Sequence, residues 1–273
     1  MTNTGAFGFP WLVAKHENLF KRFGLDVEIV QRDPYAPEEP VFARKKERAL
    51  ESESISLYSI CEWGALQRIA EGSIGKILYV ISTKSPFAVM AIDPRIKSVK
   101  ELSILPIGVK SCAGSHYATI RMLEKRIPIE EIKIKHIGGP LNRLEALLTG
   151  KLKAVTLMEH YIDLAKYHGA HAIAKGNFSE LAFGRGDLPA EMRSKLVLAV
   201  REAIHLINKN WKKYQQILLA DIPPRLKRGF TPKTIRYSPP KFYSPSDFKK
   251  TKEWMENRGF LKSNLTFQDV ITS

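Results

Sequence analysis

The chain has 273 residues, 44% of them hydrophobic and 10% aromatic, enough for two modest lobes or one large α/β domain. No stretch approaches the roughly 20 consecutive apolar residues of a membrane span, and Cys61 and Cys112, the only cysteines, lack the CxxC spacing or neighbouring histidines of a zinc site or disulfide scaffold. The net charge of +15 would suit nucleic acid, an anionic membrane or an acidic ligand, but Lys and Arg are dispersed, densest over Pro223–Lys252 among prolines and aromatics, which argues against nucleic-acid binding.

The N-terminus offers no secretory signal. Met1–Thr4 carries no positive charge, and Pro10, Lys15 and His16 interrupt the first apolar segment. As written the chain is expected in the cytoplasm; a truncated or misassigned start would make it extracytoplasmic.

Pro10 suits the first turn of a helix in which Leu12, His16, Leu19 and Phe23 recur at helical spacing, and Gly24 stops it. His16, on that stripe, is expected in the core. Leu25–Val30 alternates as a half-buried strand. A helix over 38–52, a strand over Ser54–Tyr58, a helix over Cys61–Glu71 and strands over Lys76–Ser82 and Phe87–Ile92 follow. In the middle third, strands at Pro106–Lys110, Glu131–Ile137 and Lys153–Met158 alternate with helices. One is capped by Ser115, one opens at Gly138-Gly139-Pro140, and one runs from Tyr161 to His168. This βαβαβα rhythm predicts a parallel sheet with right-handed crossovers. His168 and His171 are expected at a helix end, facing solvent. The last third reads as helical: Leu196, Val200, Ala203, Ile204, Ile207 and Trp211 trace one face, and Ser244-Pro-Ser-Asp resembles a capping box before a helix ended by Gly259. The Pro-rich stretch Pro223–Pro245 is too apolar for a free tether and is expected to lie on its own lobe.

Several segments, in order, resemble one family. Pro10-Trp-Leu-Val-Ala-Lys, Phe20-Lys-Arg-Phe-Gly-Leu-Asp-Val-Glu, Lys97-Ser-Val-Lys-Glu-Leu, Ser111-Cys-Ala-Gly-Ser-His-Tyr, Gly138-Gly-Pro, Ala146-Leu-Leu-Thr-Gly, Met158-Glu-His-Tyr and Trp254-Met-Glu-Asn-Arg-Gly-Phe-Leu are similar to stretches of the solute-binding proteins for nitrate, sulfonates and thiamine-precursor pyrimidines. The resemblance implies a type II periplasmic-binding-protein fold, α/β in class, with a mostly parallel sheet flanked by helices in each of two lobes. Lobe one would be residues 1–92 and 177–273, lobe two residues 93–176, with two strands crossing between them and a ligand cleft there. It implies the substrate-binding component of an ABC-type importer, a monomer whose partners are a small anionic or heteroaromatic molecule and an ABC permease. The alternative is a cytoplasmic enzyme on the same scaffold, a lyase or synthase like those of the menaquinone pathway. Two departures from the family stand out: only Met1–Phe7 is available for an opening strand, and His160 stands where the family often has Pro.

The candidate ligand-binding residues are Phe9, Trp11, Tyr58, Ser59, Ser111, Gly114, Ser115, His116, Glu159 and Tyr161. The Ser111–Tyr117 loop feeds a helix N-terminus, whose unpaired N–H groups and partial positive charge suit an anion. Glu159 and Tyr161 end a predicted parallel strand, where ligands of such sheets bind. Phe9, Trp11 and Tyr58 offer aromatic walls, Ser59 a hydroxyl. No catalytic residue is assigned, although in the enzyme reading His116 or His160 would be the acid or base. The histidines show no metal-ligand spacing, no GxSxG, P-loop or GxGxxG motif occurs, and no cofactor or metal is expected.

Overall fold

A computed structural model describes residues 2–3, 7–31, 42–233, 235–262 and 264–272. In chain order the elements begin with β1 (Thr2–Asn3), α1 (Phe9–His16), α2 (Leu19–Arg22), β2 (Val30–Gln31), α3 (Phe42–Glu51), β3 (Leu57–Cys61), α4 (Glu62–Ala70) and β4 (Gly75–Ala91). The middle of the chain forms β5 (Ile107–Val109), α5 (Gly114–Leu123), β6 (Ile134–His136), α6 (Pro140–Leu148), β7 (Ala154–Met158), α7 (His160–Tyr167) and β8 (His171–Arg185). It closes with α8 (Ala190–Asn210), α9 (Gln215–Leu218), α10 (Pro224–Lys227), α11 (Pro245–Glu256) and α12 (Phe267–Val270).

The chain divides into two compact units: Met1–Thr83, Ser179–Leu218 and Arg236–Ser273 form unit 1, and Lys84–Phe178 with Leu219–Ile235 forms unit 2. The chain thus passes between units within β4 and β8, at 83/84 and 178/179, nine residues before the expected 92/93 and two after the expected 176/177. It does so again at 218/219 and 235/236, which the sequence did not suggest. The residues Pro223–Ile235 belong with unit 2 and not with the lobe expected for them.

Unit 1 holds the β2-β1-β3-β8-β4 stretch of an eight-stranded order. The two-residue β1 pairs in parallel with β2 and β3 and supplies the opening strand that seemed to lack room. β3 runs antiparallel to β8, Leu57 opposite Gly184 through Cys61 opposite Glu180. The buried side of α1 (Phe9, Trp11, Leu12, Val13) packs on α8, whose Leu196, Val200, Ala203, Ile204 and Ile207 are buried as the stripe predicts. Asn18 adopts φ 54° and splits the first helix in two, a conformation asparagine tolerates better than most residues. His16, the last residue of α1, is exposed instead of buried. Ser244 caps α11 as expected, accepting from the Asp247 N–H at 3.1 Å. The expected strand Leu25–Val30 shortens to β2, and residues 38–41 of the expected third helix lie outside the described residues.

Unit 2 holds the β4-β7-β5-β6 stretch of the same eight-stranded order, together with the first half of β8. β5 pairs in parallel with both β6 and β7, and β7 pairs antiparallel with β4, Phe87 opposite Met158 through Ala91 opposite Ala154. Val89, Ala91, Leu102, Ile107, Val109, Leu123, Ile127 and Ala154 form a contiguous core. The two strands expected over 76–92 are one, because Pro86, which donates nothing to a ladder, still accepts from the Glu159 N–H at 3.1 Å. Leu219–Ile235 is pinned to α7: His168 bonds the Leu226 carbonyl (2.8 Å), Tyr167 donates to the Arg228 carbonyl (3.1 Å), and Asp163 accepts from the Lys233 N–H (3.1 Å). His168 therefore does not simply face solvent, and neither does His171, whose ring bonds the Ile96 carbonyl at 2.6 Å.

Candidate functional site

The order of the strands in unit 2 makes one place special. From β5 the chain crosses through α5 to β6 on one side; from β6 it crosses through α6 to β7 on the other. The loops leaving β5 and β7 therefore diverge at the carboxyl edge, the switch point where α/β sheets bind ligands. Since β5, β6 and β7 run in parallel, α5, α6 and α7 all begin at that edge. Three helix N-termini there concentrate partial positive charge, each worth about 0.3–1 kcal/mol toward an anion.

The residues after β5 build a tight turn. Cys112 takes φ 53°, Ala113 is the N-cap of α5, and Gly114 and Ser115 are its first two residues. The expected cap, Ser115, thus sits one step inside the helix. Its hydroxyl accepts from the Lys110 N–H at 2.9 Å and is buried, so it closes the turn from within. The ring Nδ1 of His136, at the end of β6, accepts from the Ser111 N–H at 3.2 Å, and that of His116 from the Cys112 N–H at 3.3 Å. Burial holds the His116 imidazole below its usual pKa, favouring the neutral ring that can accept the Cys112 N–H. Behind the turn, Thr119 donates to the Ser115 carbonyl at 2.6 Å and meets the Thr156 hydroxyl of β7. The buried Arg143 guanidinium bonds the Thr156 and Gly139 carbonyls, fixing the start of α6 to β7.

After β7 the chain turns sharply into α7 at Glu159, with φ 49° and ψ −138°. Only glycine adopts such a conformation without strain, and strain of this kind gathers at functional sites. The Glu159 side chain is buried, and Tyr161, two residues on, donates to Asp221 at 3.3 Å. His160, between them, is fully buried with its ring tilted against Tyr161 at 4.7 Å between centroids. Burial pushes its pKa down to about 3, so the ring is neutral near pH 7.

The structure thus gathers Ser111, Gly114, Ser115, His116, Glu159 and Tyr161 at one sheet edge of unit 2. Phe9, Trp11, Tyr58 and Ser59 belong to unit 1. Phe9 and Trp11 are fully buried, and the Trp11 indole N–H donates to Tyr79 at 3.0 Å. The Tyr58 hydroxyl is held by Glu47, with Lys46 over its ring. Ser59 lies opposite Ala182 in the β3–β8 ladder. The N-terminus of α1 is already capped by a carboxylate of the chain itself, Glu180 accepting from the Gly8 N–H at 2.6 Å. Sequence reasoning missed Glu180 because it missed β8. Arg143 carried no signal: it follows the polar Asn142 between Leu141 and Leu144. Among the described residues no three His, Cys, Asp or Glu side chains are grouped to hold a metal ion, and no helix is long and apolar enough to cross a membrane.

No protein-family model and no curated protein sequence matches the chain. Solved structures do resemble it. The alkanesulfonate-binding protein SsuA from Xanthomonas axonopodis pv. citri, bound to MOPS, is similar with a TM-score of 0.76 at 15% identity, over 99% of this chain and 96% of that one. The periplasmic aliphatic sulphonate binding protein SsuA from Escherichia coli gives 0.74 at 14%, over 100% and 90%. The periplasmic nitrate-binding protein NrtA from Synechocystis PCC 6803 gives 0.68 at 12%, over 93% and 79%. These likenesses establish an α/β fold of the periplasmic-binding-protein type.

Proposed function

We propose that the chain binds a small anionic or heteroaromatic solute and serves as the substrate-binding component of an ABC-type importer, acting as a monomer with a membrane permease as its partner. The observation that carries the reading is the meeting of the Ser111–Ser115 turn, the start of α5 and the strained Glu159 at the switch point of unit 2. Backbone N–H groups at the start of a helix suit a sulfonate, nitrate, carboxylate or phosphate, and Gly114 keeps a side chain out of their way. The similar solved proteins include binders of sulfonate and nitrate, both anions, which supports the same ligand chemistry here.

Native mass spectrometry of the purified protein, followed by titration calorimetry with sulfate, nitrate, ethanesulfonate and MOPS, tests this. A released small anion, or saturable one-to-one binding of a panel member, is expected. If none is carried and none binds, the reading fails. If a bound molecule is chemically converted, and substitution of His116 or His160 stops the conversion, the chain is an enzyme on this scaffold.

A further inference from the structure

Two buried polar side chains at the same edge of unit 2 have no hydrogen-bond partner among the described residues. Both ring nitrogens of His160 and the hydroxyl of Ser85 are closed from solvent and unmatched, in residues each 1% exposed. They follow the last paired positions of the neighbouring strands β4 and β7. Phe87 of β4 lies opposite Met158 of β7, and the Glu159 N–H donates to the Pro86 carbonyl, so the next step outward on the two chains is Ser85 and His160. A buried polar atom left unmatched has given up its bonds to water and gained nothing in return. Unmatched atoms on the residues just past the last paired positions of two neighbouring strands, one of them next to a backbone held at φ 49°, mark a place built for something to be added.

Their chemistry limits what that is. A neutral imidazole has one N–H donor and one lone-pair acceptor, and a serine hydroxyl is both donor and acceptor. Neither matches a full charge, and a second anion would meet the nearby Glu159 carboxylate. We infer that Ser85 and His160 form a polar subsite for an uncharged group that both donates and accepts, such as a hydroxyl or a carboxamide, on the solute whose anionic end is held at the start of α5. This rests on the proposed anion-binding function and narrows it: the solute carries an anionic group and a neutral hydrogen-bonding group. The ring of Tyr161, packed on His160, is itself held by Asp221, which keeps the imidazole in one orientation.

Ethanesulfonate and 2-hydroxyethanesulfonate differ by one such hydroxyl and provide the test, by titration calorimetry on the full chain. The wild-type protein is expected to prefer the hydroxylated probe by about tenfold, the effect of one hydrogen bond to a group otherwise left unmatched. His160→Phe and Ser85→Ala should each bring the ratio toward one. Ser115→Ala, which disturbs only the anionic end, should weaken both probes and leave the ratio unchanged. His160→Gln, which keeps a donor and an acceptor, should retain part of the preference, and it carries the test with Ser85→Ala if the phenylalanine variant does not fold. Equal affinities in the wild type would overturn the subsite and leave an ordered water as its occupant while the anion site stands. A ratio untouched by both substitutions would overturn it as well. Failure of both probes to bind removes the anion site and the subsite together.

Discussion

Replacing Ser115 by alanine takes away the acceptor that the Lys110 N–H uses inside the turn after β5. The Ser115 side chain is 4% exposed, so water cannot readily replace it. An N–H left unmatched in such a place costs about 1–3 kcal/mol. Lys110 is itself only half-buried, which puts the cost in the lower part of that range, and alanine's better helix propensity returns a few tenths of a kcal/mol. The expected net loss is about 1 kcal/mol, which for a unit of this size lowers the melting temperature by roughly 2–6 °C. Denaturant titration gives the free energy, and hydrogen exchange at the Lys110 amide shows whether the change is local: its protection should drop while amides of unit 1 keep theirs. Unchanged stability together with an unchanged Lys110 amide would refute the claim that this hydroxyl closes the turn.

Glu159→Gly should be more stable than Glu159→Ala by about 1–2 kcal/mol, since both lack the carboxylate and only glycine tolerates the backbone there; the reverse order in chemical denaturation would show that the turn is unstrained. Iodoacetamide should modify one cysteine per chain, the exposed Cys112, and spare Cys61, which is buried with its thiol pushed up to about 12. The adduct, lying in the turn before α5, should weaken anion binding at least severalfold; two adducts by mass spectrometry, or binding undiminished by one, would contradict the placement. His160 has a folded pKa of about 3 against 6.5 when free, so the unfolded chain takes up its proton first as pH falls. Stability is lost between pH 6.5 and about 3 and is fully present above that window, the loss reaching on the order of 5 kcal/mol. His160→Gln should therefore flatten the denaturation free energy across that range relative to wild type, and parallel curves would count against a neutral buried imidazole.

The rhythm of unit 2 was legible because its strands and helices announce themselves locally. Leu141, Leu144 and Leu148 repeat at helical spacing, Gly114 and Ser115 open α5, and Lys153–Met158 is a short apolar run closed by Glu159. β8 was not legible. His171-Ala-Ile-Ala-Lys-Gly-Asn has weak strand propensity, and Gly176-Asn177 looks like a turn; the strand forms because Glu180–Gly184 pairs with β3, more than a hundred residues earlier. The attachment of Leu219–Ile235 to α7 depends on Asp163, Tyr167 and His168 meeting groups far along the chain, which no local pattern encodes. The same holds for Ser85, which nothing in the sequence marks: only the pairing of β4 with β7 brings its strand beside the turn that carries His160.

The anion site at the switch point of unit 2 is tested most directly by following backbone amide resonances during titration with ethanesulfonate and nitrate. Saturable shifts should be largest at Gly114 and Ser115 and at Glu159–Tyr161, with the exposed lysines of α11 moving only in proportion to ionic strength. Shifts confined to those lysines, or none that saturate anywhere, would contradict a built anion site at this edge of the sheet.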